Sequence, residues 1–221
     1  GYTGSSHLNW GAMLHGAGAS LEVSKADAVA NYGLYADIDT AGGAWQDAEA
    51  EPQGWKHNTD IGLIQTDTNQ TVNLNISAIN GPIANFGVTI FEGMDTNTGG
   101  YSHHGAWNDP ASTDFLGSPN GQNYDAENPF GTTGLTHLKY DETVDSTAAG
   151  TISFDAVAGQ IYTIYLGGNG GLHWNQQHDG YVLDITTSPS AVPVPAAAWL
   201  LGSGLIGLVS FGRRKNAAVE A

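Results

Sequence analysis

The chain has 221 residues, no cysteine and a formal net charge of −16. Of its 22 acidic residues, 21 precede residue 196, where the only basic ones are Lys25, Lys56 and Lys139, a balance of −18. Disulfides and thiol chemistry are therefore excluded, and nucleic acid is excluded as a partner because phosphate binding needs clustered Lys or Arg. The acidity fits a surface kept soluble by repulsion, or carboxylates neutralised by divalent cations.

Residues 1–187 are predicted to form one exported domain. The chain starts at Gly1 rather than at methionine, so we expect a signal peptide to have been removed. Its 31 glycines, with many Asn, Thr and aromatic residues, are typical of extracellular β-structure rich in turns. We predict an all-β fold, an antiparallel β-sandwich of jelly-roll-like form.

The predicted elements begin with residues 21–32, which fit either a short helix or a strand followed by a loop. Apolar and polar residues alternate most clearly over residues 71–77, which predicts a half-buried strand. Further strands are predicted at residues 87–91, 151–155, 161–166 and 180–186.

Two connections carry predictions of their own. Residues 158–160 (Ala-Gly-Gln) separate two alternating runs, which predicts a β-hairpin. Residues 95–149 show few apolar runs and are predicted to be a functional excursion or a set of short strands.

Carboxylates close together in the chain predict a calcium site, and calcium is the expected cofactor. Oxygen ligands crowded into a turn are what this ion prefers. Two carboxylates on one face of an extended segment also repel each other unless a cation lies between them. The alternative is that these side chains only stabilise turns. The candidate ligands are Asp37, Asp39, Glu92, Asp95 and Asn97.

Several histidines stand beside a tryptophan or a carboxylate, which predicts a copper or zinc site as an alternative function. No defined metal motif such as HExxH is present, so these histidines could instead pack within a glycine-rich fold. The best candidate ligands are His103, His104, His173 and His178.

Tryptophans in or beside glycine-rich loops, including Trp45 and Trp55, predict exposed rings that could stack on sugars. The alternative is that these large side chains belong to the core. A sugar site would most readily use Trp107, Trp174, Asn175 and Asp179. Since the chain has no nucleophile elbow, phosphate loop or dinucleotide motif, we predict that it is not an enzyme.

The C-terminal segment has three parts. Residues 188–195 form a Pro-rich linker, which ends in Val192, Pro193, Val194 and Pro195. Residues 196–212 are an uncharged apolar run, at the short end of the ~17 to 25 residues that span a bilayer as a helix. Residues 213–221 begin with Arg213, Arg214 and Lys215 and are predicted to be cytoplasmic.

This tail, VPVPAAAWLLGSGLIGLVSFGRRK, resembles a PEP-CTERM sorting signal. The resemblance implies an exosortase as partner, passage through the inner membrane of a Gram-negative bacterium, and a destination at the cell surface or in an extracellular, biofilm-type matrix. Val194 stands where the family usually has Glu, so an uncleaved membrane anchor is the alternative.

The order of the C-terminal strands, and residues 54–93, resemble the export domains of other PEP-CTERM proteins and bacterial pre-peptidase-type β-sandwiches. That resemblance implies a non-catalytic accessory or binding role. We therefore predict a surface or matrix protein that binds exopolysaccharide or copies of itself. A further alternative is a membrane-retained subunit of a larger complex or filament.

Overall fold

The computed structural model of the chain describes residues 8–16, 18–23, 38–45, 54–55, 58–79, 81, 83–97, 104–105, 132–169 and 177–190. The chain forms two compact units, 1–190 and 191–221, and every described residue belongs to the first. Within the described ranges, no helix has the length and hydropathy of a membrane span. The apolar run 196–212 lies outside those ranges.

The regular structure of the described ranges is all β. Its strands are β1 (Trp10–Leu14), β2 (Ser20–Val23), β3 (Asp39–Thr40), β4 (Gly54–Trp55), β5 (Asp60–Thr66), β6 (Gln70–Ala78), β7 (Phe86–Gly93), β8 (His104–Gly105), β9 (Leu135–Val144), β10 (Ile152–Ala156), β11 (Ile161–Gly168) and β12 (Asp179–Pro189). All five predicted strands are present, and the region that fitted either a helix or a strand begins as β2.

The strands form two main sheets. Sheet A has the order β1-β5-β11-β7-β9 and sheet B the order β10-β6-β12-β2, while β3 pairs with the start of β12 and β4 pairs with β8. Every described pair is antiparallel except β1 with β5, which is parallel. The predicted all-β sandwich of mostly antiparallel strands is confirmed, with β1 and β5 as the parallel exception.

The strand order is that of a jelly roll. Leaving β1 aside, β2-β12-β6-β10 in one sheet faces β5-β11-β7-β9 in the other, so β2, the first strand of this set, lies beside β12, the last. Strand β1 extends sheet A beyond β5 and forms its outer edge.

One apolar core joins the inner faces of the two sheets. Alternate residues of β6 point into it, as the sequence pattern predicts, and meet inward residues of β5, β7 and β11. Each fully buried Val, Leu or Ile contributes about 1.5 to 3 kcal/mol. The core is centred on Ile64, Val72, Leu74, Val88, Ile90, Ile164, Leu183 and Ile185.

The predicted hairpin at residues 158–160 is wrong. Strand β10 pairs with β6 and strand β11 pairs with β5 and β7, so the turn crosses from one sheet to the other. The Gln160 amide donates to the Val157 carbonyl at 3.0 Å, and Gly159 has a φ of 77°. An alternating pattern is the same for strands that pair side by side and for strands that face each other across a core.

One region and one strand end also differ from the prediction. Residues 95–149 contain β9, a ten-residue edge strand whose side chains are mostly exposed or half-buried. Strand β12 runs through Pro189, whose Cα partner is Gln70, so its last two residues lie in the segment predicted to be linker.

The sandwich has two ends, which are used as landmarks below. At the His178 end, Thr40 lies opposite Asp179 and its hydroxyl accepts a hydrogen bond from the Gly168 amide at 3.1 Å. At the Gly159 end, the Gly159 amide donates to the Thr66 carbonyl at 2.8 Å.

Candidate functional site

The His178 end brings together one predicted copper or zinc ligand and one predicted calcium ligand. Because β3 pairs with the start of β12, Asp39 lies opposite Gly180, two residues after His178. The Nδ1 atom of His178 is 3.5 Å from Oδ1 of Asp39, and the two side chains are 45% and 35% exposed. The Oδ1 atom of Asp39 is itself buried and has no hydrogen-bond donor among the described residues. At 3.5 Å the imidazole is close enough for charge attraction but too far for a good hydrogen bond.

A second His–Asp pair, at the Gly159 end, has a different geometry. The Nδ1 atom of His15 lies 3.2 Å from Oδ2 of Asp67, and the Gly16 amide donates to Oδ1 at 2.8 Å. The hydrogen bond from Gly16, followed by the nearby His15, lowers the pKa of the Asp67 carboxyl below its usual value. Both oxygens of Asp67 are thus satisfied by the protein, unlike Oδ1 of Asp39.

A buried carboxylate lies deeper at the His178 end. Asp60 is 3% exposed, accepts a hydrogen bond from the Tyr181 hydroxyl at 2.5 Å, and accepts another from the Asn9 side-chain amide at 2.9 Å. The side-chain oxygen Oδ1 of Asn9 in turn accepts from the Ile61 backbone amide at 2.8 Å. So short an O–H···O contact is typical of an ionised acceptor.

The environment of Tyr181 disfavours its ionised form. Complete burial, followed by the negative charge of Asp60 and the hydrogen bond to it, raises the pKa of the Tyr181 hydroxyl well above its usual value. Tyr181 thus remains a neutral hydrogen-bond donor to Asp60 at every ordinary pH.

Asp179, a predicted sugar ligand, is 2% exposed, and its Oδ2 atom accepts a hydrogen bond from the Gly81 amide at 2.9 Å. This carboxylate therefore holds the segment after β6 against β12. The other predicted sugar-binding residues, Trp107, Trp174 and Asn175, lie outside the described residues, and sugar binding stays a prediction.

The structure separates Asp39 from the other predicted calcium ligands that it describes. Glu92 lies six residues along β7 from Phe86, which pairs with Gly168 at the His178 end. Six residues of strand span about 20 Å, so Glu92 lies near the Gly159 end, far from Asp39. Asp37 lies outside the described residues, and calcium binding stays a prediction.

The Asp95–Asn97 turn beside Glu92 uses its carboxylate to hold the loop. Asp95 is buried, and its Oδ1 atom accepts hydrogen bonds from the Asn97 amide at 3.1 Å and the Thr133 amide at 3.4 Å. This is the turn-stabilising role that the sequence left open as the alternative to calcium. The part of the chain that the structure describes contains no cluster of three or more His, Asp or Glu side chains that could hold a metal ion.

Two of the His–Trp segments meet through their backbones. Trp55 of β4 is the Cα partner of His104 in β8, so these sequence-distant segments form a short antiparallel ladder. His103 and His173 lie outside the described residues, as do the tail residues Val192 to Pro195 and Arg213 to Lys215.

Trp45 is a core residue, so its predicted exposure is wrong. It is 1% exposed, its indole N–H donates to the Thr89 hydroxyl at 3.0 Å, and its ring stacks on Tyr140 at 5.9 Å. It belongs to a second apolar cluster on the outer face of sheet A, with Phe91 and Tyr165. Gly87 provides the space for the ring, because a Cβ atom there would overlap it.

Comparison with known protein families gives no match, and comparison with curated proteins gives none either. Among solved structures, several are weakly similar to the chain, including the following three. CorA of Methylomicrobium album BG8, a surface-associated copper-binding protein important in copper acquisition, is 10% identical over 81% of this chain and 97% of its own, with a TM-score of 0.40.

PliG of Aeromonas hydrophila, a periplasmic inhibitor of g-type lysozyme, is 10% identical over 80% of this chain and 97% of its own, with a TM-score of 0.32. The secreted protein MopE of Methylococcus capsulatus, in which an oxidized tryptophan facilitates copper binding, is 12% identical over 80% of this chain and 86% of its own, with a TM-score of 0.38. Similarity at this level defines neither the ligand nor the activity of this chain.

Proposed function

We propose that the chain is a non-catalytic, exported binding protein that holds a copper or zinc ion at the His178 end of its sandwich. The observation that carries the proposal is the pairing of the Asp39 Oδ1 atom, buried and without a hydrogen-bond donor, with the His178 imidazole. A buried carboxylate oxygen without a donor is costly to maintain, and a bound cation would remove that cost.

The distance between the two atoms suits ligands of one ion. Imidazole nitrogen and carboxylate oxygen bind Zn²⁺ at about 2.0 to 2.2 Å, and at a tetrahedral angle two such ligands lie about 3.4 Å apart. The Nδ1 to Oδ1 distance of 3.5 Å agrees with this value. Structural zinc sites use four protein ligands, and the predicted ligands His103, His104 and His173 are the candidates for the remaining positions.

Metal titration of the full chain tests the site. Replacing His178 or Asp39 with Ala is expected to weaken Zn²⁺ or Cu²⁺ binding at least tenfold in isothermal titration calorimetry, because each change removes a ligand. The matched control is His15→Ala, which removes an exposed histidine that is also beside an aspartate but whose partner is already satisfied. Equal affinities in all four proteins would contradict the assignment, as would the absence of binding by the unaltered chain.

Delivery of the chain by an exosortase to a cell surface or matrix is proposed on the tail alone, with exopolysaccharide or further copies of the chain as partners. Intact-mass measurement on protein from the native host decides it. A species ending near Pro195 is expected, and material that is only full-length would instead favour the uncleaved anchor. This outcome is independent of the metal titration.

A further inference from the structure

Among the described strands, β1 forms an open edge of sheet A. It pairs only with β5 among the described strands. The Leu14 carbonyl accepts from the Asp67 amide at 3.2 Å, so Leu14 directs its backbone groups toward β5. Since backbone groups alternate sides along a strand, those of Gly11 and Met13 point to the open edge. These donors and acceptors are what an added strand would pair with.

The edges of the sheets differ in how they are protected. Strand β9, at the opposite edge of sheet A, has two register irregularities and carries Lys139, Asp141 and Glu142. Strand β10, at one edge of sheet B, carries Asp155. Bulges and charges of this kind discourage pairing with other chains. Strand β1 has the sequence WGAML and carries neither.

An apolar groove of about 630 Å³ runs along this unprotected edge. Its lining includes Met13, Leu63 and Ile161 from neighbouring strands of sheet A, and Leu21 of β2. The Met13 side chain is 49% exposed. The groove therefore offers contacts for apolar side chains directly beside the free backbone groups.

The electrostatic surroundings favour a basic partner. Residues 1–195 have a charge balance of −18. Of the Lys and Arg residues, only Lys139 falls within the described ranges, and it lies on β9, four strands from β1. At about 4.8 Å per strand, that distance is roughly 19 Å, about two Debye lengths at physiological salt. At this edge, a cationic segment would therefore be attracted more strongly than a second copy of this acidic chain.

We propose that β1 is a docking edge for an extended polypeptide segment of another protein. That segment has apolar side chains that fill the groove and Lys or Arg residues on its flanks. It adds to sheet A as a further strand, with backbone hydrogen bonds supplying affinity and the groove supplying selectivity.

The test uses the full chain and a synthetic peptide in which valine and threonine alternate and lysines flank both ends. Two further peptides carry backbone N-methyl groups on one or the other set of alternate residues, and a fourth has glutamates in place of the lysines. Binding is measured by fluorescence anisotropy. We expect one N-methylated peptide to lose at least tenfold in affinity and the other to bind like the parent, because only one set of N–H groups faces β1.

Variants of the chain locate the site. Met13→Pro removes an outward N–H at an edge position where proline is tolerated, and Met13→Lys places a like charge beside the basic peptide. Each is expected to weaken binding at least tenfold with an unchanged far-ultraviolet spectrum. The matched control is Leu138→Lys, at an exposed position on the opposite edge strand, which should leave affinity within about twofold.

Three results would overturn the proposal. The first is equal binding of the two N-methylated peptides. The second is that the glutamate-flanked peptide binds as tightly as the lysine-flanked parent. The third is no peptide binding together with concentration-dependent self-association that Met13→Lys abolishes in sedimentation, which would assign this edge to a second copy instead.

Discussion

An Asp60→Ala variant is expected to lose about 3 to 5 kcal/mol of unfolding free energy, since it removes the carboxylate that accepts from the buried Tyr181 hydroxyl and from the half-buried Asn9 side chain. The hydroxyl of Tyr181 and the side-chain amide of Asn9 both donate to this carboxylate, which is only 3% exposed. Urea denaturation of the wild type and the variant measures the difference. A loss below about 1 kcal/mol would show that the pair contributes little.

Two further variants separate charge from shape at this site. Asp60→Asn keeps the size and one acceptor oxygen, so we expect less than half of the loss. The double variant Asp60→Ala with Tyr181→Phe should be more stable than the sum of the single effects predicts, because it leaves no unpaired hydroxyl. Simple additivity would mean that the two side chains do not interact.

The hydrogen bond between Tyr181 and Asp60 should also make the stability of the wild type depend on pH in the alkaline range. Because the folded pKa of Tyr181 is raised, its contribution to stability is fully present below the unfolded value of about 10 and declines as pH rises above it. Between pH 10 and 11 the wild type should therefore lose up to about 1.4 kcal/mol more than Tyr181→Phe does. Parallel pH profiles would indicate that Tyr181 titrates normally in the fold.

Gly87→Ala is expected to destabilise the domain by about 1 to 3 kcal/mol through overpacking. A methyl group at this position would overlap the ring of Trp45, which is buried and tied to Thr89. Trp45→Ala alone should cost about 3 to 5 kcal/mol because it leaves a cavity. Denaturant midpoints measure both effects.

The coupling free energy between Gly87→Ala and Trp45→Ala tests more directly whether the overlap with the ring causes the loss of stability. In the Trp45→Ala background the added methyl group enters empty space, so Gly87→Ala should become neutral or slightly stabilising. A coupling of at least 1 kcal/mol is expected from the double-mutant cycle. If Gly87→Ala costs the same in both backgrounds, the cost comes from the backbone of β7 rather than from the ring.

How far the sequence predicts this fold depends on the kind of strand. Strands with one buried face can be predicted from the sequence: in β6, the apolar residues Val72, Leu74 and Ile76 alternate with polar ones. Strand β9 is exposed or half-buried along most of its length and shows no such alternation, so its sequence resembles that of a loop. Pairing partners are decided by packing across the core, which explains why the hairpin prediction failed.

At the candidate site, too, the sequence indicates which residue types are present but not which of them come together. The sequence marks His178 and Asp39 as metal-binding types, but 138 residues separate them, and only the pairing of β3 with β12 brings them together. The partnership of Asp60 with Tyr181 joins residues 121 positions apart. Asp60 does share the alternating inward face of Gly62 and Ile64, and that pattern is the signal that could have identified it as buried.

The alternation of the strands between the two sheets has a consequence for how the chain acquires its structure. From β5 to β7, and again from β9 to β12, each successive strand belongs to the sheet opposite to the one before it. Neither sheet can therefore grow by local zippering, and most stabilising contacts join distant parts of the chain. Such topologies fold in milliseconds to seconds rather than microseconds. During that interval the apolar edge at β1 is exposed before its own sheet is complete, which leaves this segment open to mispairing in newly made chains.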